Sequence, residues 1–390
     1  MKNEVKICRR CGSENLKKMG KQLNVMKTTW KQKWFCKDCK LRFTEKKQHL
    51  MNDYYEAPFT YLPKGSEPIN WSNYNQAQIN EKRLLLDLAK ELIDMIEIKQ
   101  IQRTGRPSDN MKDIVYAMLL KAYTGLSSRR LISDLEIAKN LHYIEKVPCY
   151  STLMNYFNDT RLRTLLRELV ELSAMPLAQV EEDGSFSTDS SGFSTSKFGR
   201  WFDYKFNEEK ERREYKKAHI MIGNKTNVVT AVTITDSHGA DAPQLPYLVK
   251  KTAMNFNVKE VCADKAYSSR NNLEAIFEVG AFPFIPFKSN TRGVHNGAIW
   301  RHMYRYFKER PQDFNEHYHK RSNVETSFFM IKQKFDSNLM TKNDLANVNE
   351  ILCKLIAHNL CCLIHAFYEF NLHRTLWTEQ TNIPKIQVLA

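Results

Sequence analysis

The chain has little that suits export or a membrane. Its start, MKNEVKICRRC, is polar and lacks the apolar core of a secretory signal. The most apolar long stretch, from Ile351 to Phe370, is interrupted by Lys354, His358, Asn359, His365 and Glu369, so it is expected to be a buried helix rather than a membrane span. No internal repeat or low-complexity tract is present. These features point to a cytoplasmic protein with reduced thiols, in which paired cysteines bind metal more often than they form disulfides. Acidic residues are scarce at the N-terminal end: residues 1–48 hold 15 Lys and Arg against 4 Asp and Glu, a net of +11, while the other 342 residues carry only +4. A solvated basic tail would also lack aromatics and cysteines. This segment has Trp30, Trp34, Phe35 and Phe43, and four of the nine cysteines.

What is there bounds the architecture. At ~100–200 residues per domain, a 390-residue chain holds two to four domains, and 42 % hydrophobic residues supply a sizeable core. The net charge of +15 points to a polyanionic partner.

Cys8 with Cys11 and Cys36 with Cys39 form two CxxC pairs, 24 residues apart. Two such knuckles offer four thiolates at tetrahedral reach of one ion, which suits Zn2+. So short a segment has no adequate core of its own, and the metal would hold it together. The β-rich stretch 28–35 fits a strand of a zinc ribbon. A redox dithiol would need one pair alone, and no thioredoxin-like pattern surrounds either. Cys149, Cys262, Cys353, Cys361 and Cys362 lie in apolar stretches and are expected in the core. Binding Zn2+ to four thiolates would leave the segment at about +9, still suited to phosphate contact.

Residues 49–75, with Pro58, Pro63 and Pro68 and no helical period, are expected to be a linker. Helical spacing of Leu85, Leu88, Leu92 and Ile96 predicts a helix over 76–99. Further helices are expected at 109–124, stopped by Gly125, at about 128–140, and at 151–173. Short helices joined by tight turns fit either a helix-turn-helix or a plain bundle, with Arg129, Arg130 and Lys139 available for phosphates. After Pro176 the pattern becomes mixed α/β: strands at 185–188, 218–223, 228–235, 258–263 and 281–286, and helices at 243–255, 271–279, 317–335 and 345–370.

Asp189 and Asp264 are each expected just past a strand, facing the usual crevice at the carboxyl end of a sheet. Glu325 lies in a helical segment. Three carboxylates from separate elements can hold two Mg2+ ions ~4 Å apart at a phosphodiester, and hard oxygen ligands suit Mg2+ or Mn2+. Tyr318, Arg321, Glu325 and Lys332 are spaced by 3, 4 and 7, which would put them within ~60° of arc on one helix face. An Asp after a strand is also an ordinary turn residue, and a charged helix face is also an ordinary solvated one.

These residues resemble the DDE transposases of prokaryotic insertion sequences, in the superfamily whose last motif is Y-x2-R-x3-E-x6-K. That motif stands here as YHKRSNVETSFFMIK, from Tyr318 to Lys332. Asp264-Lys265-Ala266-Tyr267 matches the second motif and Asp189-Ser190-Ser191 the first. The helical segment from Arg106 to Phe157 is similar to the N-terminal domain of such proteins. The resemblance covers roughly residues 100–370 and implies an RNase H-like catalytic domain with Mg2+-dependent DNA cleavage and strand transfer. It implies Asp189, Asp264 and Glu325 as the catalytic, metal-binding triad, Arg321 and Lys332 as DNA contacts, and Tyr318 as a supporting residue beside them. The expected organisation is a multidomain one. It comprises a zinc ribbon at 1–48, a linker at 49–75, an all-α, helix-turn-helix-like DNA-binding domain at 76–175, an α/β RNase H-like domain at 180–372, and a tail at 373–390. The expected cofactors are two Mg2+ (or Mn2+) ions and one structural Zn2+. The expected partner is double-stranded DNA, both element ends and target, with at least a homodimer in the synaptic complex and no membrane. A domesticated, non-transposing DNA-binding protein and a host nuclease of the same fold are the alternatives.

Overall fold

The computed structural model describes residues 8, 13–23, 30–44, 69–99, 109–195, 215–291, 297–372, 377 and 386–389. They fall in two units, Met1–Lys64 and Gly65–Ala390.

The first unit is a three-stranded antiparallel sheet, β1 (Leu16–Leu23), β2 (Trp30–Cys36) and β3 (Arg42–Thr44), in chain order. Lys40 takes a left-handed φ of 59° in the turn between β2 and β3. The expected linker at 49–75 lies outside the described residues up to 68. Its end is corrected: α1 (Trp71–Asp94) starts inside it, with the Asn70 side chain accepting from the Asn73 backbone N–H. The first turns of α1 expose Trp71 and Ile79, so no buried apolar stripe marked the true start.

In the second unit α1 leads into a short strand, β4 (Ile96–Lys99). Next comes α2 (Met111–Thr124), capped by Asn110 and ended by Gly125 at a φ of 63°. After it come α3 (Leu131–Asn140), α4 (Tyr150–Phe157) and α5 (Thr160–Ala174). The single helix expected at 151–173 is two, because the Asp159 side chain accepts from the Arg161 N–H and starts a new helix. The sheet region comprises β5 (Ser185–Ser194), β6 (Tyr215–Gly223), β7 (Val229–Asp236), α6 (Leu245–Asn255), β8 (Glu260–Ala263), α7 (Arg270–Glu278) and β9 (Phe282–Phe284). Its strand order is β7-β6-β5-β8-β9. β5, β6 and β7 run antiparallel, whereas β5, β8 and β9 run parallel. This is the mixed α/β region expected after Pro176.

Four helices complete the unit: α8 (Gly297–Glu309), α9 (Pro311–Tyr318), α10 (Ser322–Phe335) and α11 (Asp344–Glu369). α11 is long and apolar enough to cross a membrane, yet 89 % of its most apolar window is buried inside the protein. Several of its buried polar residues are satisfied there. Asn359 accepts from Val229 N at 2.8 Å and donates to Val229 O at 2.8 Å and Val170 O at 3.1 Å, tying α11 to β7 and α5. The helical segment and the sheet thereby share one apolar core. The stretch expected as a tail is partly structured: Trp377 is buried and donates to Leu172 O, and β10 (Ile386–Leu389) pairs in parallel with β4.

Candidate active site and candidate metal centre

The register of β5 against β8 builds the site. Their parallel pairing runs from Ser185↔Glu260 to Thr188↔Ala263 and stops. The next residues on the two neighbouring strands are Asp189 and Asp264, so the chain brings both carboxylates to one level at the end of that pairing. The expectation that β5 ends at Thr188 is corrected: it continues to Ser194, still paired with β6. Asp189 is a mid-strand residue that loses its partner on one side only. Asp189 Oδ1 accepts from Ser190 N at 2.8 Å, and Asp264 Oδ1 from Lys265 N at 2.6 Å.

The continuous helix expected at 317–335 is also corrected. α9 ends at Tyr318, a 3-10 turn spans His319–Arg321, and α10 starts at Ser322. Ser187 Oγ donates to Lys320 O at 3.2 Å and holds the turn against β5. The tighter winding of the turn changes the azimuth at which α10 begins, so the four motif residues do not share one simple helix face. They still gather at β5. Arg321 reaches Asp189 Oδ2 at 2.6 Å with one guanidinium nitrogen and Glu325 Oε1 at 3.0 Å with the other. Tyr318 hydrogen-bonds with Arg321. Lys332, near the far end of α10, donates to Ser191 Oγ at 2.6 Å and lies 5.4 Å from the Phe193 ring centre. In this structure, then, Arg321 engages two carboxylates.

Burial raises the Asp189 pKa above the carboxylate norm, and the nearby charge of Asp264 adds to it. The Ser190 N–H and the Arg321 cation pull the other way without cancelling it. Asp189 is 21 % exposed and Glu325 60 %, so both carboxylates are open to solvent on one side. The donor set fits a hard divalent ion: it is oxygen only, and Asp189 with Glu325 already draws a cation, the guanidinium, between them. The three carboxylates are not drawn within 4.8 Å of one another. Among the described residues that closeness is reached by Cys8, Cys36 and Cys39.

Several further neighbours gather here, most of them with no local sequence signal. Tyr267 is buried near Thr188 and Ser190, the residues flanking Asp189, and among the described residues its hydroxyl has no hydrogen-bond partner. Asp241 hydrogen-bonds with Ser190. It lies 2.6 Å from Lys217 Nζ and 3.2 Å from His219 Nδ1. Burial opposes ionisation of Asp241, but Lys217, Ser190 and His219 outweigh it and hold its pKa below the norm. These groups meet only because β6 carries Lys217 and His219 beside β5. Tyr267 alone was within a recognisable motif, in the residues after Asp264.

In the first unit, Cys8 Sγ lies 3.5 Å from Cys39 Sγ. Zn–S bonds of about 2.3 Å give a tetrahedral edge of about 3.8 Å, so this spacing fits two ligands of one Zn2+. Cys11, the expected fourth ligand, lies outside the described residues. The loops around the cysteines are built to face each other. Cys8 N donates to Ser13 O, Cys36 N to Leu41 O, and Lys37 N to Asn15 O. The Asp38 carboxylate accepts from Ser13 and Asn15. Cys262, Cys353, Cys361 and Cys362 are core residues as expected, whereas Cys149 is exposed, because it precedes α4 at a surface turn after Pro148.

Residues 183–360 match the family model described as the transposase DDE domain, which bears out the resemblance carried by the three motifs. Among solved structures, the chain is similar to one described as a piggyBac transposase synaptic complex with hairpin DNA. That likeness has 10 % identity and a TM-score of 0.34, over 78 % of this chain and 80 % of that one.

Proposed function

From a chain with a transposase DDE domain over residues 183–360, we propose a DNA transposase that binds the ends of an insertion element and catalyses metal-dependent strand cleavage and transfer. The observation that carries it is the β5–β8 register, which sets Asp189 beside Asp264 while Arg321 ties Glu325 to Asp189. Three antiparallel strands followed by two parallel ones agree with an RNase H-like arrangement. Asp189, Asp264 and Glu325 would hold two Mg2+ or Mn2+ ions, which supply activation of a water or 3′-hydroxyl and neutralise charge at the phosphodiester. The remaining work belongs to the chain. Tyr318 orients Arg321, Arg321 sets the spacing of Asp189 and Glu325 and meets DNA phosphate, and Lys332 presents a second cation. The first unit, as a ribbon closed by Zn2+ on Cys8, Cys11, Cys36 and Cys39, grips DNA with its surplus positive charge, and the helical segment 76–175 helps to seat the ends. Two ends require at least two copies of the chain, acting on DNA in the cytoplasm.

Asp264→Asn tests the assignment. It should abolish cleavage of an element-end duplex in Mg2+ and leave binding of that duplex nearly intact. Preserved cleavage would refute the triad, and cleavage without joining of a pre-cut end would favour a nuclease.

A further inference from the structure

Next to the site, between α2, α10 and the segment after α10, lies a cavity of about 280 Å³ whose lining includes Lys121, Lys332, Lys334 and Lys354 with Asp336 and Glu350. Its acids are already engaged. Glu350 accepts from Met340 N and Thr341 N and pairs with Lys354 at 3.3 Å. Lys354 also donates to Asp336 O and Asn338 O. Lys334 pairs with Glu81. Two ammonium groups remain without a carboxylate. Lys121, only 5 % exposed, donates to Leu126 O at 3.3 Å and meets the Met340 thioether at 3.6 Å. Lys332 donates to Ser191 Oγ. Among the described residues neither has an acidic group at ion-pairing distance. Burial lowers the pKa of both, and for Lys121 the nearby Glu350 charge offsets that burial only in part.

We propose that this cavity is an anion subsite in which Lys121 and Lys332 together hold one backbone phosphate of the bound DNA, two residues along β5 from Asp189. The proposal rests on the transposase reading above. It adds to it a residue, Lys121, that lies on α2, outside residues 183–360. A buried ammonium facing a thioether and one carbonyl is under-solvated, and a phosphate oxygen would give it a charge-assisted bond. Lys332 would place that phosphate, because its Nζ is already fixed by Ser191 beside the carboxylates.

The test compares the full chain with Lys121→Met on an end-containing duplex, measuring affinity against salt. Losing one phosphate contact should flatten the plot of log K against log salt by about 0.9, and Lys121→Arg should restore the slope. An unchanged slope for Lys121→Met overturns the proposal. In parallel, inorganic phosphate is titrated into the wild-type chain without DNA, watching the Met340 methyl signal. A saturable shift, lost in Lys121→Met, is expected; a linear or absent shift also overturns it. Because the wild-type titration needs no variant, a linear or absent shift overturns the proposal even if Lys121→Met does not fold. A saturable phosphate response with an unchanged DNA slope would mean a site for a small dissolved anion instead, which also sinks the DNA assignment. None of these readouts depends on cleavage, so failure of the Asp264 test is separable from failure here.

Discussion

Replacing Glu260 with Gln should loosen the segment that carries Arg321 and Glu325. Glu260 opens β8 and its side chain is 7 % exposed. It accepts from His317 Nδ1 at 2.6 Å and from Lys320 Nζ at 2.5 Å. The strand that precedes Asp264 is therefore tied to the end of α9 and to the turn before α10. Gln keeps the volume but has one acceptor oxygen and no charge, so it can serve one of the two donors well. One charge-assisted hydrogen bond is lost, worth about 1.5–3 kcal/mol. Lys320 is 27 % exposed and can turn to water, which puts the expected loss near the low end, about 2 kcal/mol. The effect has a pH signature. Burial works against the ionised form of Glu260, but His317 and Lys320 outweigh it and hold its pKa below the usual carboxylate value. A depressed folded pKa means that the stabilisation is complete above the unfolded pKa of about 4.3 and is lost as pH falls through the folded one. Urea unfolding should thus show a lower midpoint for Glu260→Gln at pH 7, with the gap closing below about pH 4. Equal midpoints at pH 7, or a gap that persists undiminished at pH 3, would refute the reasoning.

Cys36→Ser should release the zinc, seen as loss of about one equivalent per chain in metal analysis, and weaken duplex binding. Unchanged metal content and binding would remove the ribbon from the account. Asp189→Asn should abolish cleavage and yet stabilise the unliganded fold near neutral pH. The folded Asp189 pKa is raised by burial, so its charge-free form is favoured and the ionised form costs stability as pH rises through that pKa; a destabilised Asn variant at pH 7 would contradict this. Asn359→Leu should cost about 2–4 kcal/mol, because it strands the Val229 N–H and carbonyl that the amide satisfies inside the core. A urea midpoint equal to that of the wild-type chain would show that α11 does not depend on that bridge.

Residue chemistry was legible where the pattern is local, and adjacency was not. The Tyr318–Lys332 spacing and the Asp264-Lys265-Ala266-Tyr267 run sit within single stretches of chain, so they could be picked out with no structure. α8 went unread although it does carry an apolar stripe, with Trp300, Met303, Tyr304 and Phe307 at helical spacing; Trp300 and Met303 are fully buried, while Tyr304 and Phe307 pack half-buried against the core. Asp241, Lys217 and His219 were invisible because strand pairing alone brings them together. Asp189 shows the boundary most clearly. Small residues after it resemble a strand end, yet β6 continues to pair beyond it while β8 does not. Its role depends on a register that no local pattern encodes. That register has an identifiable support. Ser185 pairs with Glu260 at the start of β5 and β8, hydrogen-bonds with the Glu260 carboxylate, and accepts from the Asn224 side chain at 2.7 Å. Side chains alternate along a strand, so slipping β5 by one residue against β8 would turn Asp189 to the opposite face from Asp264. Glu260 therefore serves the site twice. Its carboxylate anchors the segment bearing Arg321 and Glu325, and its contact with Ser185 helps to fix the alignment that sets the two aspartates side by side.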